Sequence, residues 1–169
     1  MREVKSAPLV ALREVTLDDA KRLYEWAIDP GTRHNSLSQQ PITWNSHCVW
    51  LSTRIDDSNA HSFIANADSV DIGTVSVDYR PTILAKSSSC NAGRLHHARV
   101  SITVAPLNRG FGYATPMLKA LCQRAKHLGL RTLEAIVKRD NEPSLCAFRS
   151  CGFWVTHQVG HLWTLDYRL

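Results

Sequence analysis

The chain has 169 residues, of which 44% are hydrophobic and 21% charged, so we expect a single folded domain over residues 1–169 and exclude a disordered chain. Lysine and arginine outnumber aspartate and glutamate by 20 to 15, which gives a formal net charge of +5 and a pI of about 9.1. Because the basic residues are scattered, nucleic acid and membrane surfaces are not expected as partners, and a phosphorylated small molecule fits the charge better.

No apolar stretch approaches the roughly 20 residues that cross a bilayer, and no long apolar core follows the charges near the N-terminus. The five cysteines show no paired framework, so we expect a reduced, cytoplasmic protein. A zinc site built from Cys146, Cys151, His157 and His161 is not expected, because no close C-x-x-C pair is present. The sequence therefore predicts no metal centre.

The first elements in chain order are a strand and a helix. Residues 9–14 have the composition of a strand, and Thr16 with Asp19 forms a capping box that opens a helix. Asp29-Pro30-Gly31 is expected to end that helix. The polar residues 32–41 then predict a loop.

A second helix and a hairpin follow. Thr43 is the predicted cap of the helix. Its buried side is predicted to consist of four apolar residues: Trp44, Cys48, Leu51 and Ile55. Residues 61–67 and 70–79 predict two strands joined by a turn at Asp68-Ser69. The polar, serine-rich residues 80–94 are expected to form a mobile connection that borders a site.

The most informative stretch is SITVAPLNRGFGYA, in the centre of the chain. Residues 101–105 predict a strand that Pro106 ends, and residues 113–128 predict a helix from their apolar spacing. Gly110 and Gly112 precede the helix, where glycines let the backbone approach a ligand and unpaired N–H groups favour an anion. Neither the dinucleotide pattern G-x-G-x-x-G nor the P-loop pattern is present, so the turn predicts a phosphate seat of another kind.

The C-terminal part predicts another strand and helix, then a closing hairpin. Residues 131–138 form an apolar run typical of a buried strand, and residues 141–153 (NEPSLCAFRSCGF) begin a helix. Two further strands are predicted at residues 154–159 and 161–167, separated by Gly160.

Two motifs carry a resemblance to a known family. RGFGYA, beginning at Arg109, fits [QR]-x-x-G-x-[GA], and NEPSLCAFRSCGF, beginning at Asn141, fits N-x-x-[SA]-x-x-x-[YF]-x-x-x-G-F. Together they resemble the GCN5-related N-acetyltransferases over essentially the whole chain. The resemblance implies an α/β (α+β) fold with a mixed, mostly antiparallel sheet of about seven strands and helices on both faces. It also implies that the strands before and after the helix of residues 113–128 splay apart.

In that family acetyl-CoA is the cosubstrate, and the resemblance implies where it binds. Backbone groups of three strand residues would pair with the pantetheine arm: Ile102, Thr103 and Val104. The turn and helix start would cradle the pyrophosphate through N–H groups: Arg109, Gly110, Phe111, Gly112, Tyr113 and Ala114. Residues of the second motif would flank the pantetheine from the other side: Asn141, Ser144 and Phe148.

The implied reaction is attack of a neutral amine on the thioester, which needs orientation, a base and an acid. Many family members use a tyrosine as the acid, and Phe148 stands at that position, so water or Ser144 is left to protonate the thiolate. The base candidates are one carboxylate and three imidazoles: Asp78, His47, His96 and His97. His47 is the first choice because an imidazole titrates near neutral pH.

The N-terminal half indicates a substrate class. The pattern L-x-E-W-x-x-D-P-x-x-R-x-x-S from Leu23, followed by I-x-x-x-x-H-x-x-W from Ile42, is similar to acetyltransferases that act on nucleotide-linked amino sugars, as in pseudaminic acid synthesis. The resemblance implies Arg33 as a phosphate partner and His47 beside the acceptor. Many of these relatives carry an acidic residue where Arg99 stands.

Other interpretations remain open at this point. The W-x-x-D-P pattern at Trp26 also occurs in relatives that acetylate protein N-termini or free amino acids. The missing tyrosine is compatible with a non-catalytic acyl-CoA sensor. The closing strands of residues 154–167 allow a homodimer.

Overall fold

A computed structural model describes residues 9–80 and 96–169. The predicted serine-rich connection and Cys90 therefore lie outside the described residues. The strands are β1 (Ala11–Glu14), β2 (Ala60–Ala67), β3 (Val70–Tyr79), β4 (His97–Val104), β5 (Thr132–Lys138), β6 (Trp154–Val159) and β7 (Leu162–Arg168). The helices are α1 (Ala20–Ile28), α2 (Pro30–Asn35), α3 (Trp44–Asp56), α4 (Ala114–His127) and α5 (Glu142–Ser150).

The strands form one seven-stranded sheet in the order β1-β2-β3-β4-β5-β7-β6. Neighbouring strands are antiparallel except β4 and β5, which are parallel. The mixed, mostly antiparallel sheet is therefore confirmed. So is the turn between β2 and β3, where Asp68 and Ser69 have φ of 50° and 65°, left-handed values that suit a tight hairpin.

Helices cover both faces of the sheet, as predicted. Side chains alternate across a strand, so adjacent Phe63 and Ile64 of β2 enter different cores. Phe63 packs in the larger core with α4 and α5, whereas Ile64 packs with Leu23 of α1 and Leu51 of α3. The helix predicted over residues 113–128 is confirmed as α4, and its spacing predicted four of the five buried residues, Met117, Leu118, Leu121 and Ala125, the fifth being Cys122.

The predicted splay between the two parallel strands is confirmed. β4 and β5 pair only from His97 opposite Thr132 to Arg99 opposite Glu134. Beyond that point, β5 continues to Lys138 with β7 as its partner on the other side. The edge of β4 over residues 100–104 is left without a strand partner, and this opens a cleft in the middle of the sheet.

The prediction of a loop over residues 32–41 is wrong in its first part, because α2 occupies Pro30–Asn35. Asp29 ends α1 and also begins α2, since its carboxylate accepts the Thr32 N–H at 2.9 Å. Pro30 is compatible with this start, because the first helical position has no hydrogen-bond partner for an N–H in any case. The residues predicted to end α1 therefore also begin α2.

The Thr43 cap of α3 is confirmed, but of the predicted buried side only Leu51 is fully buried, and Trp44 and Ile55 were predicted wrongly. His47 and Leu51 are buried, at 3% and 1% exposure, whereas Trp44 and Ile55 are 48% and 42% exposed. His47 can be buried because its ring hydrogen-bonds to the backbone of α1 (Ala20), which satisfies a polar group inside the fold.

Candidate active site

The glycine turn before α4 presents a run of free backbone donors. Gly110 and Gly112 have φ of 81° and 79°, in the left-handed region that glycine adopts without strain. Within the described residues, no backbone or side-chain acceptor takes the N–H groups of residues 110–115, and α4 makes its first hydrogen bond from Met117 to Tyr113. Consecutive free N–H groups at a helix N-terminus form an anion site.

The residues predicted to flank the pantetheine lie at the start of α5 and within it. Asn141 caps this helix, its side-chain oxygen accepting the Ser144 N–H at 3.3 Å, and the Ser144 side chain is half-buried in the first turn. Phe148 is 2% exposed and packs edge-on against Phe153, with ring centroids 4.9 Å apart. Its ring thus belongs to the core, and the prediction of Phe148 as a coenzyme contact finds no support in this geometry.

The face of the sheet opposite α4 and α5 holds a cavity of about 200 Å³ beneath α1, α2 and α3. Its floor is made of hydroxyl side chains from three neighbouring strands: Ser62, Thr74, Ser76, Ser101 and Thr103. Ser76 and Ser101 are hydrogen-bonded to each other at 2.8 Å. Trp26 and Trp50 contribute apolar surface to the wall, and no aspartate or glutamate lines the cavity among the residues described.

This floor was not predicted, although the sequence carries a signal for it. Thr74 and Ser76 alternate with valines in β3, and Ser101 and Thr103 alternate with apolar residues in β4. Polar residues at every second position of a central strand indicate a polar surface on one face. Because β2, β3 and β4 are antiparallel neighbours, these positions meet on the same face.

His47 lies in the cavity wall, between α1 and α3. Its Nε2 is 2.9 Å from the carbonyl oxygen of Ala20, and its ring contacts Tyr24, Trp44 and Trp50 with centroids 5.4 to 6.0 Å away. A carbonyl only accepts, so Nε2 carries a proton and Nδ1 holds a lone pair. Burial lowers the pKa of His47, although its hydrogen bond to Ala20 acts in the opposite direction. The ring is therefore neutral at neutral pH.

Arg33 also lines the cavity, but its guanidinium is largely occupied within the protein. Nε donates to the Ala27 carbonyl at 2.7 Å, Nη1 donates to the carbonyls of Ser38 and Gln40, and Nη2 donates to Ser36 Oγ at 2.8 Å. These bonds hold the segment after α2 in place. The expected role of Arg33 as a phosphate partner therefore finds little support in its geometry.

The other base candidates lie away from the cavity. Asp78 forms an ion pair with Arg54, whose Nε donates to Ser62 Oγ at 2.9 Å. His96 and His97 stand at the beginning of β4, where the two parallel strands still pair, and His97 Nδ1 is 3.0 Å from Thr132 Oγ1. None of these three lines the cavity.

Arg99, the position where relatives carry an acid, pairs with an acidic residue on the next strand. Its Nη2 lies 2.7 Å from Glu134 Oε1, at the last paired position before β4 and β5 separate. The pair closes the narrow end of the cleft. At the wide end, buried Lys138 of β5 donates to the carbonyl of His34 in α2.

The Arg109 side chain reaches across to α2. Its Nη2 is 2.7 Å from Asp29 Oδ2 and 2.6 Å from Thr32 Oγ1. Burial raises the pKa of Asp29, but the hydrogen bonds from Thr32 and Arg109 outweigh it, so the pKa lies below its usual value. Asp29 is therefore ionised at neutral pH.

Among residues 9–80 and 96–169, no three histidine, cysteine, aspartate or glutamate side chains gather to hold a metal, and Cys48, Cys122, Cys146 and Cys151 are free thiols. No helix in these ranges has the length and apolar character to span a membrane. A larger groove of about 530 Å³ lies beside α5 and Trp163 and contains none of the predicted site residues.

A sheet opened between two parallel strands, with free N–H groups at the opening, defines a cleft for an extended ligand that ends in an anion. The family model described as an acetyltransferase (GNAT) domain matches residues 10–154. The chain therefore belongs to the GNAT acetyltransferases, and it is an enzyme of this type.

Solved structures share the fold at low sequence identity. Spermidine N-acetyltransferase from Vibrio cholerae, solved with CoA and spermine, superposes with a TM-score of 0.79 at 14% identity, covering 94% of this chain and 95% of that chain. Ribosomal-protein-alanine N-acetyltransferase from Brucella melitensis gives 0.72 at 23% identity, covering 94% and 99%. Aminoglycoside acetyltransferase AAC(6')-Ib with coenzyme A gives 0.76 at 15%, covering 94% of each. No curated protein sequence matches the chain significantly.

Proposed function

We propose that this chain transfers the acetyl group of acetyl-CoA to the primary amine of a nucleotide-linked amino sugar. The observation that carries the proposal is that strand β4 borders both the cavity and the cleft. Ser101 and Thr103 of β4 line the cavity, and the unpaired edge of β4 over residues 100–104 faces the cleft. An amine in the cavity and a thioester in the cleft would therefore meet at β4.

The lining of the cavity supports a sugar as the acceptor. Hydroxyl groups both donate and accept hydrogen bonds, which suits the hydroxyls of a sugar, and indole rings such as Trp26 and Trp50 offer flat apolar surface to a sugar ring or a base. A polyamine or an aminoglycoside carries several positive charges, and no carboxylate from residues 9–80 or 96–169 lines the wall to pair with them. The aminoglycoside and polyamine classes are accordingly disfavoured.

The volume of the cavity limits what it takes up. About 200 Å³ is smaller than the ~300–1,000 Å³ typical of sites that enclose a whole ligand, so the reacting sugar fits and the nucleotide remains outside. A small cavity also suits the first residue of a peptide. Acetylation of protein N-termini or free amino acids is therefore the second candidate function.

The chemistry proposed for the chain follows from its own groups. Acetyl-CoA would lie in the cleft with its pyrophosphate on the free N–H groups of residues 110–115. The amine nitrogen attacks the thioester carbon and loses a proton to Nδ1 of His47, for which no partner is present among the described residues. The C–N bond forms, the C–S bond breaks, and the thiolate takes a proton from water or Ser144.

The experiment measures free thiol released from acetyl-CoA with a panel of amines: nucleotide-linked amino sugars, aminoglycosides, amino acids and ribosomal-type N-terminal peptides. The proposal expects turnover on the amino sugars. It also expects His47→Gln, which keeps a donor for Ala20, to lower kcat about a hundredfold, the lower range for a positioned base. His97→Gln is the matched control and should leave kcat unchanged.

The alternative outcomes are distinct. Turnover only on peptides or amino acids would contradict the sugar assignment while keeping the coenzyme site. Tight coenzyme binding with no turnover on any amine would favour the acyl-CoA sensor. An equal loss of kcat in the His47 and His97 variants would remove His47 as the base.

A further inference from the structure

Helix α2 lies between the coenzyme cleft and the acceptor cavity, and cations from both sides of the cleft hold it. At its beginning, Arg109 from the glycine turn contacts Asp29 and Thr32 at 2.7 and 2.6 Å. At its end, Lys138 from β5 donates to the carbonyl of His34. The same helix and the residue after it supply Thr32, Arg33 and Ser36 to the cavity wall.

The local sequence is built around the Arg109 guanidinium. A Cβ atom placed on Gly31 would lie 2.6 Å from Arg109 Nη1, so the absence of a side chain there gives the guanidinium its space. Asp29 serves both as the cap of α2 and as the counter-ion of Arg109. The guanidinium contacts lie on α2, and the N–H groups of residues 110–115 have no acceptor among the described residues.

We propose that the Arg109 side chain ties α2 to the coenzyme turn, and that Asp29 and Arg109 are positioning residues for the acceptor cavity rather than ligands of the coenzyme phosphates. The inference rests on the proposed function, because it needs the turn to bind the coenzyme. Order that the coenzyme imposes on residues 110–115 then reaches the cavity wall through the Arg109 contact. Coupling of this kind is reciprocal between two binding sites.

Asp29→Asn separates this role from helix capping. Asparagine caps helices about as well as aspartate, so α2 keeps its start while the ion pair is lost. The matched control is Asp57→Asn. Asp57 also accepts a nearby backbone N–H, from Asn59 at 2.8 Å, and it forms no ion pair among the described residues, so the control removes an equal charge. Thr32→Val is the second test variant, since it removes the other acceptor of Arg109.

The first measurement is hydrogen exchange of the peptide over residues 30–36, with and without coenzyme A. In the wild type, coenzyme A should slow exchange in this peptide. In Asp29→Asn and Thr32→Val, exchange should be about tenfold faster, the range expected when a hydrogen bond to a charged group is lost, and coenzyme A should no longer slow it. The Asp57 control should match the wild type.

The second measurement is coenzyme A affinity by calorimetry, together with the two KM values. The dissociation constant of coenzyme A should stay within about twofold in both test variants, as for substitutions away from a binding site. With the best acceptor of the amine panel, the acceptor KM of Asp29→Asn should rise about tenfold, and its acetyl-CoA KM at saturating acceptor should rise by a similar factor because the coupling is reciprocal.

Unchanged exchange over residues 30–36 in both variants, or a shift of coenzyme A affinity beyond about twofold, would overturn the inference. In the second case the ion pair would be acting on the coenzyme phosphates. Failure of the wild-type protein to bind coenzyme A is a different result. It would contradict the proposed function itself.

Discussion

The proposed coenzyme cleft and the proposed acceptor cavity share strand β4 but are built from different parts of the chain. The cleft is made of backbone: free N–H groups before α4 and an unpaired strand edge over residues 100–104. The cavity is made of side chains from three strands and three helices. The cleft therefore depends on backbone conformation at a few positions, whereas the cavity depends on which side chains meet across the fold.

This difference separates what is shared among relatives from what distinguishes them. Neighbours at 14 to 23% identity superpose with TM-scores of 0.72 to 0.79, so the fold persists when most side chains differ. Function is set by the site placed on a fold, and the fold alone does not identify the acceptor. The hydroxyl floor is thus the part of this chain on which the proposed substrate depends.

The largest effect is expected from strain in the backbone of the cleft. Gly112→Ala places a Cβ on a residue with φ of 79°, which costs on the order of 1–3 kcal/mol or forces the turn to change. We expect coenzyme A to bind about tenfold to a hundredfold more weakly by calorimetry, because the N–H groups no longer converge.

Gly129→Ala is the matched control for that experiment. Gly129 has φ of 78° and open space around its Cβ position, as Gly112 has, but it follows α4 instead of preceding it. This variant should lose stability and keep its coenzyme A affinity. Equal coenzyme A affinities of Gly112→Ala and Gly129→Ala would contradict the proposal that the backbone of the glycine turn binds the coenzyme.

A smaller effect, confined to the acceptor, is expected from the floor of the cavity. Thr103→Val replaces a hydroxyl with a methyl of similar size and removes one hydrogen bond to the acceptor. We expect kcat/KM for the acceptor to fall about twofold to tenfold, from roughly 0.5–1.5 kcal/mol for a neutral hydrogen bond, with unchanged coenzyme A affinity. The acceptor titration is run at saturating acetyl-CoA.

Thr53→Val is the control for the cavity floor. Thr53 lies exposed on α3, where its hydroxyl bonds to the Val49 carbonyl, outside the cavity. The Thr53→Val variant should have the wild-type kcat/KM for the acceptor. If Thr103→Val also leaves kcat/KM unchanged, the hydroxyl floor does not contact the acceptor and the sugar assignment loses its main support.

The sequence predicted the local features of the molecule well. The glycine turn, its helix α4 and the hairpin turn at Asp68-Ser69 follow from short motifs whose conformation is decided by adjacent residues. The resemblance of two motifs supplied the splay of β4 and β5, which no local pattern contains. The mixed, mostly antiparallel sheet agrees with that resemblance.

Features that depend on distant contacts were missed. Asp29 ends α1 and begins α2 because the Thr32 N–H donates to its carboxylate. On α3, His47 is buried instead of Trp44, and the His47 ring nitrogen hydrogen-bonds to the Ala20 carbonyl of α1. Arg33 stands in the expected place, but its donors meet carbonyls that only the folded loop brings together. Side-chain partners across the fold are set by packing, which periodicity does not encode.

The central claim is that the backbone of the glycine turn holds the coenzyme. The most direct measurement is a titration of ¹⁵N-labelled protein with coenzyme A, followed through the backbone amide resonances. We expect the largest shifts of amide resonances at residues 110–115, and we expect them to saturate together with the calorimetric isotherm. Largest shifts around Cys146, Arg149 and Trp163, in the groove beside α5, would contradict it.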